Sequence, residues 1–239
     1  EPLFIPALVE MAKLKLFQMQ YDSAFYYARK ALSIDTYHEE ANYYYGMAAS
    51  RLHQKGDALD GFEVATLNSP FRTAAYSALS HEYIKTNDYQ KAKEYAQLAL
   101  KGNSENLDAL QMIYLLARIK QDSGMMSSMA QRIEKLNPLL HFLNFEKFFQ
   151  SPTPENKNRF LGQIKNEMPV ETFLELAIWY ANLGREEESR EILKLAPENT
   201  ETLYWQAWLN RTYNPDYSKE LLKKAALSSP DFVEAITAS

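Results

Sequence analysis

The sequence predicts an all-α fold, a solenoid of about seven helical hairpins, and three observations predict it. Residues 5–38, 39–72 and 73–106 repeat one spaced pattern at an interval of 34 residues. Small side chains fall in register at the eighth place (Ala12, Gly46, Ser80), the twentieth (Ala24, Ala58, Ala92) and the twenty-seventh (Ala31, Ala65, Ala99). Only seven glycines occur in 239 residues, strand-like alternation is nearly missing, and apolar residues recur at helical spacing throughout. The small places matter because two antiparallel helices approach closely only where neither carries bulk at the crossing.

In residues 73–106, Tyr76, Leu79, Ser80 and Tyr83 share one face of a first helix, and Ala92, Tyr95, Ala96 and Ala99 share one face of a second. Thr86-Asn87-Asp88 lies between them as a turn cluster whose side chains can satisfy helix-end backbone groups. Pro70 is expected to stop the second helix of residues 39–72. Residues 107–140 keep the period but carry Tyr114, Met126 and Ile133 at the three small places. Such bulk overpacks the same crossing, so this hairpin is expected to be spread or rotated relative to the third.

Residues 141–169 form a degenerate unit about five residues short. Phe142, Phe145 and Phe149 lie on one helical face, and Thr153 can cap a new helix that has Pro154 in its first turn. Phe160, Leu161 and Ile164 supply that helix's buried side. The pattern returns over residues 170–199 (Phe173, Leu176, Ala177, Tyr180, then Ser189 and Leu193) and over residues 200–233 (Leu203, Ala207, Leu222, Ala225). Trp179, Trp205 and Trp208 are expected to fill space between units. Phe232, Val233 and Ile236 begin a further amphipathic stretch. The whole chain, 1–239, is expected to be a single repeat array, excised or processed from something longer, since it opens on Glu1 with no visible signal peptide.

Composition excludes several function classes. A net charge of −5 argues against nucleic acid as the ligand, which needs clustered positive charge. No apolar run approaches the length of a membrane span, so no membrane insertion is expected. The compartment, cytoplasmic or periplasmic, is left open. With no cysteine, disulfides, thiolate metal ligands and cysteine nucleophiles are excluded. His38, His53, His81 and His141 are isolated from one another, unlike the i, i+4 pairs of helical zinc sites. Gly46, Gly56 and Gly61 form no phosphate loop, and Glu186-Glu187-Glu188 suits a solvated helix start. Neither enzyme activity, nor a cofactor, nor a metal is expected.

The 34-residue period with Ala24, Ala58 and Ala92, and with Tyr76, Leu79, Ser80, Tyr83, Ala92, Ala96, Ala99 and Ser104 in the third unit, resembles the tetratricopeptide repeat (TPR). That resemblance implies a right-handed α–α superhelix whose concave wall binds peptides through first-helix places two, five, nine, twelve and thirteen. Carried over, these are Val9, Lys13, Leu16 and Phe17; Glu40, Tyr43, Met47, Ser50 and Arg51; Ala74, Ser77, His81, Ile84 and Lys85; and Asp108, Gln111, Leu115, Arg118 and Ile119. The two-carboxylate clamp of chaperone-binding members would fall on Val9, Lys13, Tyr44, Ala74 and Ala78. One of these five is basic and none is asparagine, so that activity is not expected. The stretch Tyr21–Ala28 also resembles helical arrays that follow β-rich, sugar-binding-like domains in large uncharacterised bacterial proteins.

Two functional readings follow. In the first, the chain is a non-enzymatic scaffold that takes a protein or peptide segment in its groove, with Lys13, Phe17, Tyr43, Met47, Arg51, Ser77, His81, Lys85, Gln111, Leu115 and Arg118 as the contact set. Lys13, Arg51, Lys85 and Arg118 form a basic ladder suited to an acidic partner. The same ladder also fits complementarity to helix dipoles alone. Reversing Arg51 and Lys85 together is expected to abolish acidic-peptide binding with little loss of stability, since exposed charges contribute little. In the second reading, the array is an accessory element of a carbohydrate-active or carbohydrate-binding protein, packing against β-rich domains of its own chain.

Overall fold

The computed structural model describes residues 4–67, 69–164 and 168–229. Among them the chain forms fourteen helices and no strand. It divides into two compact units, residues 1–138 and 139–239, the division falling between the fourth and fifth expected hairpins.

The first unit contains α1 (Ile5–Phe17), α2 (Tyr21–Leu32), α3 (Glu39–Arg51), α4 (Lys55–Ala65), α5 (Ser69–Lys85), α6 (Tyr89–Gly102), α7 (Leu107–Ile119) and α8 (Ser123–Leu136). Consecutive helices pair as antiparallel hairpins, and each second helix packs on the next first helix. The first helices also touch in sequence, α1 on α3, α3 on α5 and α5 on α7, which makes them a continuous wall. Ala12, Ala24, Ala31, Ala58, Ala65, Ala92 and Ala99 are all fully buried, as the small places require. A close backbone approach involves a residue outside those three places. A Cβ on Gly61 of α4 would stand 2.8 Å from the Asn42 carbonyl oxygen and 2.8 Å from the Gly46 nitrogen of α3.

Every turn inside these hairpins closes alike. Met19, His53, Asn87 and Gln121, each 34 residues after the last, adopt left-handed backbone with φ of 58°, 59°, 58° and 58°. The next amide reaches back to the last helical turn: Gln20 to the Lys15 carbonyl (2.8 Å), Gln54 to Ala49 (2.9 Å), Asp88 to Tyr83 (3.0 Å) and Asp122 to Ala117 (2.9 Å). This satisfies otherwise orphaned helix-end carbonyls, an ending that usually recruits glycine. Here four side-chain-bearing residues tolerate it at about 1 kcal/mol each, because the hairpin on either side fixes the path. Asp88 and Asp122 then cap α6 and α8 by accepting from the Lys91 and Met125 amides.

One element differs from expectation. Pro70 does not stop the second hairpin, since α4 already ends at Ala65. It sits instead in the first turn of α5, which begins at Ser69 and runs 17 residues. A proline there forfeits no hydrogen bond because first-turn amides have no helical partner. In the fourth hairpin Tyr114 and Ile133 are buried, Met126 is half-buried, and α7 is buried continuously from Ala109 to Ala117. A helix apolar on every side demands that burial.

The second unit contains α9 (His141–Gln150), α10 (Pro154–Ile164), α11 (Pro169–Asn182), α12 (Glu186–Leu193), α13 (Thr200–Asn210) and α14 (Pro215–Ser228). Thr153 caps α10, its hydroxyl accepting from the Asn156 amide at 3.2 Å. The core is aromatic. The Phe145 ring lies 5.6 Å from Phe160 and 5.2 Å from Tyr180, and Trp179 stands edge-on to Phe142 at 5.4 Å. Glu146 is fully buried and accepts a 2.6 Å bond from the Tyr180 hydroxyl. Gly184 repeats the left-handed turn (φ 70°). In the last hairpin Leu221, not Leu222, joins Leu203, Ala207 and Ala225 in the core. Leu222 is 37% exposed, since it lies a step round the helix from Leu221 on the side away from Leu203 and Ala207.

One hydrogen bond marks the helix crossing in both units. Ser80 donates to the Ala92 carbonyl (2.7 Å), Ser189 to Ala177 (2.7 Å) and Ser218 to Ala207 (2.8 Å). Serine is small enough for the crossing, and its hydroxyl bonds the facing backbone, so a buried polar atom is satisfied at no packing cost.

Candidate partner-binding wall

The wall of first helices in unit 1 brings together part of the expected contact set. Phe17, Tyr43, Met47 and Arg51 line one open pocket of about 410 Å³, with Leu16, Met19, Tyr21 and Tyr44. The helical period sets this up: Tyr43, Met47 and Arg51 follow at four-residue steps on one face of α3, and Leu16 and Phe17 end α1 beside them. Tyr43 is fixed edge-on to Tyr44 (ring centroids 5.6 Å) and tilted against Phe71 (5.4 Å). At the mouth, Phe17 is 88% and Met19 75% exposed, an unusual exposure for large apolar side chains lying next to one another.

The other expected residues lie elsewhere on the wall or beneath it. Lys13 is exposed and 3.7 Å from Glu10 of its own helix. Val9 is buried under the wall. Ser77 is buried, its hydroxyl accepting from the Asn106 side-chain amide (3.1 Å). The His81 Nε2 stands 3.0 and 2.9 Å from the two Asp108 oxygens, tying α5 to α7. Lys85 donates to Glu82 Oε1 (2.6 Å) and to the Ser50 hydroxyl (2.9 Å), and Ser50 itself donates to Glu82 at 2.5 Å. Gln111 and Leu115 are buried and Arg118 is half-buried. The basic ladder is therefore not four equivalent exposed cations. Lys85 and Glu82 form a partly buried triad with Ser50 that joins α3 to α5, so reversing Lys85 would place two carboxylates together and the stability expectation given for that change does not hold.

The first-helix places implied by the resemblance do not include Met19 and Tyr21. Met19 is the left-handed turn residue, and nothing in a helical pattern assigns a turn residue to a binding wall. Tyr44 follows Tyr43 directly, and its place in the pocket shows only once α3 lies beside α1. Among the described residues no group of three or more His, Asp or Glu side chains could hold a metal ion, and no helix is long and apolar enough to cross a membrane.

Four tyrosines of this unit hold their protons more tightly than free tyrosine (pKa 10.0). Burial raises Tyr43, and the Asp108 charge adds to it. Burial is also the main cause for Tyr44, with Glu40 next. At Tyr45, burial is joined by a hydrogen bond donated to Asp57, and at Tyr95 by the neighbouring Tyr83. Above pH 10 the unfolded chain gives up these protons while the folded chain retains them. The folded state then binds more protons, so stability falls as pH rises. Urea midpoints should accordingly drop between pH 9 and pH 11, and Tyr45→Phe should reduce the drop. A midpoint independent of pH over that range would contradict the assigned tyrosine environments.

The sequence matches no family model and no curated protein. Solved structures do resemble it. A tetratricopeptide repeat protein from Parabacteroides merdae superposes with a TM-score of 0.52 at 13% identity, covering 98% of this chain and 83% of its own. PilF of Pseudomonas aeruginosa gives 0.52 at 13% identity over 98% and 97%, and MamA 0.51 at 13% over 88% and 94%. The fold is thus of the tetratricopeptide-repeat type. At such low identity the likeness speaks for the fold alone.

Proposed function

We propose that the chain is a non-enzymatic interaction module that holds a protein or peptide segment along the first helices of unit 1. A large apolar side chain of the partner enters the pocket between α1 and α3. The observation that carries this reading is the exposure of Phe17 and Met19 at the mouth of a pocket walled by Tyr43, Tyr44 and Met47. Aromatic and methionine side chains give such a site contact area at little conformational cost, with methionine adapting to the ligand's shape. Arg51 at the rim favours a carboxylate next to that anchor.

Random peptides displayed on phage and selected on the full chain should converge on a large apolar residue with an acidic neighbour. Synthetic versions should lose about tenfold or more in affinity, roughly 1.4 kcal/mol or above, when Met47→Glu or Phe17→Ser is introduced. Melting temperature should be nearly unchanged for Phe17→Ser, whose ring is mostly in water. Selected peptides that bind both variants as tightly as the parent chain would place the binding surface elsewhere.

A further inference from the structure

The second helices of unit 1 hold a groove of their own. α6 and α8 both pack on α7, and between them lies an open hollow of about 320 Å³. A smaller one, of about 20 Å³, shares Ile113 and Met125 with it and so continues it. Each wall is one helical stripe. Lys93, Gln97 and Lys101 of α6 follow at i, i+4 and i+8, and Met125, Met129 and Arg132 of α8 at i, i+4 and i+7. Ile113, Leu116 and Ala117 of α7 form the floor. Leu136 extends the α8 stripe by one more turn and is 37% exposed. From Lys93 to Lys101 the groove runs about 12 Å, at about 1.5 Å per residue.

The groove is apolar inside and basic along its edges, in a chain whose net charge is −5. Lys93, Lys101, Lys120 and Arg132 border it. Among the described residues, none of the three lysines forms an ion pair. Arg132 is steadied at the rim by the bond its guanidinium donates to the Ser104 carbonyl (2.7 Å). Asp122, the single acid of the lining, is already engaged as the cap of α8, accepting from the Met125 amide at 2.9 Å. Methionine adapts its unbranched chain to whatever side chain it meets. Charge complementarity therefore selects apolar side chains flanked by carboxylates.

Helical backbone is the form that fits. Walls and floor are helices whose amides and carbonyls bond within themselves, so an extended segment would leave its own backbone groups without protein partners. A helix satisfies its own, and about 12 Å accommodates two of its turns. A second copy of the chain is mismatched in charge. Among the described residues, the helices that expose large apolar side chains are α1, α2, α8 and α14. In each of them basic residues outnumber acidic ones, two to one in α1, α2 and α8 and three to two in α14.

We infer that the groove between α6 and α8 docks an acidic amphipathic helix of a partner protein, apolar at i, i+4 and i+7 with carboxylates along both edges. This surface is separate from the Phe17–Tyr43 pocket, and the inference does not depend on what that pocket binds.

The probe is an acetylated alanine-based peptide with leucines at i, i+4 and i+7, flanked on both sides by glutamates. Titrated against the full chain by fluorescence anisotropy, it should bind and gain far-ultraviolet helical signal. Its counterpart with lysine for every glutamate should bind about tenfold more weakly or worse. Lys101→Glu combined with Lys120→Glu, both exposed, should lower affinity for the acidic peptide about tenfold or more at a nearly unchanged melting temperature. Met125→Glu should weaken it likewise, whereas Phe17→Ser should leave it unaltered. No binding, equal affinity for the two peptides, or a doubly reversed variant that binds like the parent would overturn the inference. Binding without helical gain, or binding lost on Phe17→Ser, would overturn it too, the first by showing an extended occupant and the second by placing the peptide in the other pocket. Self-association of the chain that Met125→Glu abolishes would show that the occupant is a second copy, against the inference.

Discussion

Gly61→Ala should destabilise unit 1 by roughly 2–3 kcal/mol, although alanine is the better helix former by about 1 kcal/mol. The new methyl would meet the Asn42 carbonyl oxygen and the Gly46 nitrogen, both at 2.8 Å, and the Gly46 Cα at 3.0 Å. All three are backbone atoms, so no side chain can rotate away, and α3 and α4 must separate along their length. Overpacking of this kind costs about 1–3 kcal/mol and more when backbones must move. The control lies in the same helix. A Cβ added to Gly56 would meet nothing within 4 Å, so Gly56→Ala should be neutral or stabilising by up to about 1 kcal/mol. Urea denaturation of the two variants should move the midpoint in opposite directions or by plainly different amounts. Equal effects would show that α3 and α4 do not approach as closely as described.

The second large effect is expected at Lys85. Lys85→Met removes the cation beside Glu82, which is 5% exposed and would retain the Ser50 hydroxyl as its partner. Removing one member of a buried ion pair costs about 3–5 kcal/mol. Lys85 keeps 28% of its side chain in water, so about 2–3 kcal/mol is expected. Adding Glu82→Gln should recover part of the loss, because the uncompensated charge goes while the side chain's shape remains. A double-mutant cycle by chemical denaturation measures the coupling. If Lys85→Met falls within about 0.5 kcal/mol of the parent, as exposed substitutions do, the triad contributes no more than a surface pair.

These two cases show where sequence reading succeeds and where it stops. Gly46 stands at the eighth place of a repeat, and its need for smallness is evident beside Ala12 and Ser80. Gly61 has no counterpart of its kind in the other repeats, and only the path of α4 against α3 shows that its missing side chain matters. Lys85 reads as the last basic residue of a helix, a place where dipole complementarity and exposure both suffice as explanations. The triad with Ser50 becomes visible only when α3 lies beside α5. Likewise, Asn87 and Gly184 are natural left-handed turn residues, whereas Met19 and Gln121 carry no such signal. They adopt the turn because packing of the two flanking helices outweighs about 1 kcal/mol of local strain.

The candidate wall divides in the same way. Phe17, Tyr43, Met47 and Arg51 were expected on the wall from the resemblance to the repeat family, and helical spacing keeps Tyr43, Met47 and Arg51 on one face whatever surrounds them. Met19 and Tyr21 were not, because a turn has no period. Nor was the burial of Leu115 and Gln111 legible, because burial depends on neighbours far away in the chain.

By itself the sequence determined the helical hairpins, their 34-residue phase and the small residues at their crossings. These are local matters, fixed by periodicity and by the volume two helices leave between them. Tertiary structure alone decided which charges are neutralised inside the unit, which glycine lies against backbone, and which apolar residues of α1 remain in water. Each of those depends on distances between segments far apart in sequence, and such distances exist only once the helices have packed.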